Sequence, residues 1–245
     1  IAYVTVPNSA ADEPVLETLN ETFSVTVLDA NSSDNNYSDY DVVVISSVPG
    51  SNLAALSGLK GVAKPVLLLK PWVMKNGVWN WGTAQNTDDA AMNITMPEHP
   101  IFQDVTITDE RLTFFGSVST NGVTYISQWN NASTYTEIAQ PLSAAGQSIF
   151  ELPTGGTYNG TTLSEPLLCV GLSEYSLATL TADGQKVVSN ACYYLAGKPV
   201  PTGIESVPSM LALRPSTKYN LNGQRVGDSY RGIVIVNGKK VFVNW

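Results

Sequence analysis

Lys64-Pro65-Val66-Leu67-Leu68-Leu69-Lys70 sets a lysine and a proline before four successive apolar residues and stops at a charge. A strand with one wet face alternates apolar and polar residues. One that is apolar on every residue is buried on both faces, as in a parallel sheet covered by helices. Upstream, Tyr40-Asp41-Val42-Val43-Val44-Ile45-Ser46-Ser47 repeats the pattern, and residues 1–6 form a third such run that ends in Pro7-Asn8-Ser9. Between these runs, Asp12-Glu13-Pro14 places acids and a proline at a helix start, with Val15, Leu16 and Leu19 at helical spacing. The reading is therefore a strand at 1–6, a helix over 12–20, strands at 23–28 and 42–45, a helix over 51–59 and a strand at 66–69. That order opens a doubly wound α/β domain.

Downstream the pattern is less regular. Trp72, Trp79 and Trp81 lie among glycines and asparagines, and short strands are expected at 94–96, 105–108, 112–115, 123–129, 135–139 and 148–152. Residues 166–172 return to an apolar run. Val187, Val188, Ala191, Tyr194 and Leu195 then predict a helix over 181–196 that stops at Gly197. The α/β domain accordingly covers 1–197, followed by a proline-rich linker at 198–208 and a small antiparallel β tail at 209–245. In the tail, strands are expected at 210–213, 218–221, 224–226, 232–236 and 239–243, with Asn222-Gly223 and Asn237-Gly238 as two-residue hairpin turns.

Composition narrows the function classes. Of 245 residues 43% are hydrophobic and 14% charged, which suits a folded chain rather than a disordered one. Thirteen basic against 21 acidic residues give a net charge of −8, so a nucleic-acid partner is not expected. No apolar run approaches the ~20 residues that span a bilayer. Cys169 and Cys192 show no zinc spacing, leave room for one disulfide, and read first as small core residues. Neither a metal nor a cofactor is indicated. The start at Ile1, directly on a strand, and the abundance of Asn, Ser and Thr read as a processed, exported chain, whether periplasmic, cell-surface or extracellular.

Tyr40-Asp41-Val42-Val43-Val44, Lys64-Pro65-Val66-Leu67-Leu68-Leu69, Glu98-His99-Pro100-Ile101-Phe102, Gly171-Leu172-Ser173-Glu174-Tyr175 and Leu180-Thr181-Ala182-Asp183-Gly184 together resemble the class I glutamine-amidotransferase-like (flavodoxin-like) fold, in particular its ThuA-like branch. In that class the nucleophilic cysteine follows the strand matched by residues 66–69, and Lys70 stands at that position here. The resemblance thus implies the fold without the thiol, and His99, the single histidine, does not follow the last strand as a catalytic partner would. The tail, from Tyr219-Asn220-Leu221-Asn222-Gly223 to Lys239-Lys240-Val241, is similar to C-terminal tails of secreted Bacteroidetes proteins, some of which act as sorting signals. That resemblance implies secretion or surface-anchoring machinery as a partner, with a plain hairpin domain as the alternative.

The candidate ligand residues are Asn8, Ser46, Ser47, Lys70, Trp72, Trp79, Trp81 and Glu174. The first four and Glu174 fall after apolar strands, where open α/β sheets bind ligands. Lys70 reads either as an ordinary lysine with its stem along apolar surface or as a buried amine of depressed pKa. The three indoles read either as core or tail packing or as a platform on which a sugar stacks. Glu174 and Asp12-Glu13 are candidate carboxylates, whereas Asp88-Asp89 and Asp109-Glu110 read as solvated charges. The preferred expectation is a non-catalytic exported module binding a small ligand or glycan at the strand ends. The alternatives are a carboxylate-dependent hydrolase of carbohydrates or amides, and a structural or assembly protein.

Overall fold

The computed structural model describes residues 1–132 and 134–201, and beyond them residues 218–220, 222, 224–227, 232–236 and 239–243. The chain divides into two units, Ile1–Thr202 and Gly203–Trp245. In the first unit the strands are, in chain order, β1 (Ala2–Thr5), β2 (Thr26–Asp29), β3 (Val43–Ile45), β4 (Val66–Leu68), β5 (Gly82–Thr87), β6 (Ala91–Ile94), β7 (Arg111–Thr113), β8 (Val123–Trp129), β9 (Thr136–Pro141), β10 (Ile149–Leu152), β11 (Thr157–Tyr158), β12 (Thr161–Thr162) and β13 (Leu167–Val170). The α-helices are α1 (Glu13–Thr22), α2 (Ala54–Gly58) and α3 (Ala182–Leu195).

Nine strands form one sheet in the order β2-β1-β3-β4-β13-β10-β9-β6-β7. The first five pair in parallel and the remaining pairs are antiparallel, so seven of the nine strands point the same way and only β10 and β6 run against them. The α/β class with a mostly parallel sheet, expected from the apolar runs, is what the chain adopts. The smaller sheets are the β5–β8 ribbon, the β11–β12 pair and the sheet of the second unit.

The apolar runs bury both faces by strict alternation. Tyr3, Val42, Val44, Leu67, Leu69, Leu168 and Val170 point to one core, which α1 covers with Val15 and Leu19 and α3 covers with Val187, Val188, Ala191 and Leu195. Ala2, Val4, Val43, Ile45, Val66, Leu68, Leu167 and Cys169 point to the other, which receives Ala55 and Leu56 of α2 together with Trp79 and Trp81. Helix α3 begins where the sequence places it: the Thr181 side chain accepts from the Gly184 N–H at 3.0 Å. It stops at Gly197, whose φ of 64° is the left-handed conformation a glycine adopts without penalty.

Several expectations change. No strand forms over 105–108: Thr108 makes an isolated bridge to Arg111, and Val105 and Ile107 pack against the core as irregular chain. Strand β5 was not expected, since Thr83, Gln85, Asn86 and Thr87 carry little apolar signal; it is held by pairing along most of β8. The two cysteines are free and buried, which removes the disulfide.

In the second unit, β14 (Lys218–Asn220), β15 (Arg225–Val226), β16 (Gly232–Val236) and β17 (Lys239–Val243) form an antiparallel sheet in the order β15-β14-β16-β17. Val236 pairs with Lys239, the register of the expected two-residue Asn237-Gly238 turn, although those two residues lie outside the described ones. The first hairpin differs. Tyr219 faces Arg225 and the Asn220 N–H donates to the Gln224 carbonyl, leaving three residues between them rather than two. The Asn220 side chain accounts for the longer loop, because its Oδ1 accepts from the N–H groups of Asn222 and Gln224, both at 3.0 Å. The strand expected at 210–213 lies outside the described residues.

Candidate functional site

Strands β1, β3, β4 and β13 are parallel neighbours, so the residues that follow them leave the sheet along one edge. Asn8, Ser46, Ser47, Lys70 and Glu174 are brought to that edge, as expected. They do not lie at the same depth. Asn8 is exposed, in the left-handed conformation at φ 63°. Ser46, Ser47 and Lys70 are buried. The Glu174 side chain retains 31% of its exposure, against 5% for Lys70.

Ser46 belongs to a structural network. Its hydroxyl donates to Asp12 Oδ1 at 2.6 Å and accepts from the Val48 N–H at 3.0 Å. The Tyr3 hydroxyl reaches the same carboxylate at 2.7 Å and the Thr5 hydroxyl at 2.5 Å. Asp12 is fully buried, and three hydroxyl donors supply the solvation it has lost. Burial, reinforced by the adjacent carboxylate, pushes the Tyr3 phenol well above its ordinary pKa. The sequence reading took Asp12 as a helix-start acid and a candidate open carboxylate. Tyr3 and Thr5, polar residues at alternate positions of an apolar strand, were the available signal for a buried acceptor nearby.

Lys70 ends the run after β4 and stands before a 3-10 turn over Pro71–Met74. Its ammonium donates to the Ser47 carbonyl and lies 3.6 Å from Glu174 Oε2. Burial lowers its pKa, and the Glu174 carboxylate works against that shift. The lysine therefore does not lie along the surface: its charged end is inside, held by one carbonyl and one carboxylate. Beside it the Ser47 hydroxyl is buried and makes no hydrogen bond among the described residues.

Glu174 is placed by backbone. The Gly171 N–H donates to Ser148, the Leu172 N–H to Leu69 and the Ser173 N–H to Gly122, at 2.8, 3.2 and 3.0 Å. The Thr124 N–H returns a bond to the Gly171 carbonyl at 3.0 Å. The approach is so close that a methyl group at position 171 would overlap the Thr124 carbonyl, which is why glycine occupies it.

Of the three indoles, only Trp72 stays near the edge. It is half-buried, its Nε1 donates to Asn86 Oδ1 at 2.9 Å, and Lys75 Nζ sits 5.8 Å from the ring centroid. Trp79 and Trp81 are corrected as ligand residues, because both are fully buried. Asn80 between them has φ 59°, a turn that sends both rings inward. Trp79 Nε1 donates to the Leu56 carbonyl at 2.8 Å, and the two rings pack at 4.8 Å between centroids, with Tyr158 5.3 Å from Trp81. The packing reading of these two residues is the one the fold realises.

The remaining reactive side chains are structural. Burial raises the pKa of Cys169 well above the ordinary range and that of Cys192 to about 12, so both stay thiols. His99 anchors its loop: Nδ1 accepts from the Ile101 N–H at 3.5 Å, and the ring meets Tyr194 edge-on at 5.0 Å. Its Nε2 is 4.0 Å from Glu151, whose pKa is lowered chiefly by that histidine. Among the described residues no group of three His, Cys, Asp or Glu side chains is placed to hold a metal ion.

No family model matches the chain. No curated protein matches it either. Solved structures do. A chain described as a cytoplasmic protein of Salmonella typhimurium LT2 is 11% identical, with a TM-score of 0.49, over 80% of this chain and 99% of its own. A second cytoplasmic protein of Salmonella typhimurium is 11% identical, with a TM-score of 0.48, over 79% and 98%. A Thermoplasma acidophilum chain described provisionally as part of a GMP synthase is 11% identical, with a TM-score of 0.48, over 80% and 94%. The expectation of export is corrected at this point: the two Salmonella chains are described as cytoplasmic, and export, with the sorting role that presupposed it, is not carried forward. No helix among the described residues is long and apolar enough to cross a membrane.

Proposed function

We propose that the strand-end edge is a binding site for a small polar ligand, and that it binds without turning its ligand over. The observation that carries this reading is the buried pair of donors at the ends of β3 and β4. An ammonium has three N–H donors, and Lys70 directs one to the Ser47 carbonyl and faces Glu174 with another. The Ser47 hydroxyl has no partner among the described residues, and a buried polar group left unpaired costs about 1–3 kcal/mol. A ligand oxygen that reaches Lys70 and Ser47, with Glu174 swinging aside, meets both needs. Asn8 and Trp72 stand at the rim of the same edge.

The non-catalytic part of the reading is supported by chemistry. The position after β4 holds an ammonium, and both thiols sit in the core. Membership of the ThuA-like branch is part of the same proposal and rests on the sequence motifs alone. A glycan ligand has lost two of its three stacking indoles, so Trp72 alone supports that class. A hydrolase is the second reading, favoured by a partly exposed carboxylate beside an amine of lowered pKa.

The test is a calorimetric screen of sugars, amino acids and small carboxylates against the wild type, Ser47→Ala and Lys70→Met. A ligand whose affinity falls at least about tenfold in both variants supports the site. A screen without hits, or hits indifferent to both substitutions, leaves the purely structural or assembly reading. Turnover that is lost in Glu174→Gln selects the hydrolase.

A further inference from the structure

On the antiparallel half of the sheet, a second site is built on the chain's sparsest charge type. Arg111 is the only arginine among residues 1–202. It lies on β7 directly opposite Asn93 of β6, which in turn lies directly opposite Gln140 of β9. Residues in register on adjacent strands share a face, with Cβ atoms about 4.5–5.5 Å apart. Arg111, Asn93 and Gln140 thus form a continuous polar row across three strands. Their strand neighbours Met92, Ile94, Leu112 and Ala139 point the other way, into the core. The row lines an open groove of about 490 Å³, closed on one side by Leu142 and Ser143. That volume falls within the roughly 300–1,000 Å³ of small-ligand sites.

The row's hydrogen-bonding capacity is largely unspent. Among the described residues the Arg111 guanidinium makes no ion pair or hydrogen bond, and neither does the Asn93 amide. Gln140 uses one N–H on Glu137 Oε1 at 2.6 Å, and its carbonyl oxygen remains open. Two acids hydrogen-bond to residues that line the groove. Glu137 also accepts from Gln147 at 2.9 Å, and Asp89 accepts from the Ser143 N–H and hydroxyl, both at 3.0 Å. In a protein of net charge −8, an unpaired guanidinium at the end of a row of two amides is a local positive fork beside neutral donors and acceptors.

We infer that this groove binds a small carboxylate that carries neighbouring hydroxyls, the chemistry of a sugar acid. The carboxylate takes the Arg111 fork, the hydroxyls bridge Asn93 and Gln140, and the Leu142 side chain, 41% exposed, covers the apolar side of the ring. The site shares no residue with the strand-end edge, so it stands whether or not that edge binds anything.

The test is titration calorimetry of the full chain with D-glucuronate, D-glucose and inorganic phosphate, repeated on Arg111→Gln and Asn93→Ala. Glucuronate should bind, glucose and phosphate at least about tenfold more weakly, and Arg111→Gln should weaken glucuronate about tenfold or more. Asn93→Ala should weaken it a few-fold. Because Arg111 is exposed, its variant should keep the wild-type melting temperature, which separates lost binding from lost folding. Absence of glucuronate binding overturns the inference. So does phosphate binding as tight as glucuronate, or affinity unchanged in Arg111→Gln.

Discussion

The two faces of the central sheet are covered by different means. One face is closed by α1 and α3, whose apolar residues recur at helical spacing. The other has only the five-residue α2, and the rest of its cover comes from an irregular stretch carrying Trp79 and Trp81 together with Ala84 and Ile126 of the β5–β8 ribbon. Two indoles with Tyr158 fill space that a second crossover helix would occupy in a regular doubly wound domain. A helix announces its buried side by period. An aromatic pair in a Gly- and Asn-rich loop does not, and its spacing fits a ligand platform as well as a wall.

The largest effect that can break this comparison is Trp79→Ala. It should cost about 3–5 kcal/mol in urea unfolding, because it empties a fully buried indole and strands the Leu56 carbonyl. A loss below about 1 kcal/mol would mean that the loop lies against the sheet without supporting it. On the helical face, Leu19→Ala should cost about 2–5 kcal/mol. Next comes Thr181→Ala, which removes the α3 cap and should cost about 1 kcal/mol, read from the thermal midpoint.

The smallest effect is a pH dependence at the boundary between the faces. The folded pKa of Lys70 is lowered, so the unfolded chain keeps this proton to higher pH than the folded one. Stability due to Lys70 therefore rises as pH climbs from the lowered value towards the ordinary lysine range. The stability of the wild type minus that of Lys70→Met should increase over that window, followed by urea unfolding. A flat difference would show that the ammonium is solvated after all.

What the sequence disclosed follows from the same contrast. β3, β4 and β13 were legible because burial on both faces leaves no polar residue in the run, β1 because Ile1, Ala2, Val4 and Val6 dominate it despite Tyr3 and Thr5, and α3 because its period and glycine stop agree. β5 was hidden, since its pairing with β8 rather than its own side chains makes it a strand. The edge itself was legible from Ser46, Ser47, Lys70 and Glu174, each following a strand or apolar run. Their depth was not, because it depends on which neighbours pack above them. Asp12 was misread for that reason: a carboxylate next to a helix start is ordinarily wet, and only the fold places Tyr3, Thr5 and Ser46 around it.

Gly171 carries a consequence that reaches beyond its own position. Any side chain there would have to wedge β13 away from β8, and the segment next in line carries Glu174. A single methyl would thus act as a lever arm on the carboxylate three residues on, loosening its hold on the Lys70 ammonium without touching either charge. The spacing of that ion pair is set remotely, by an atom the chain leaves out.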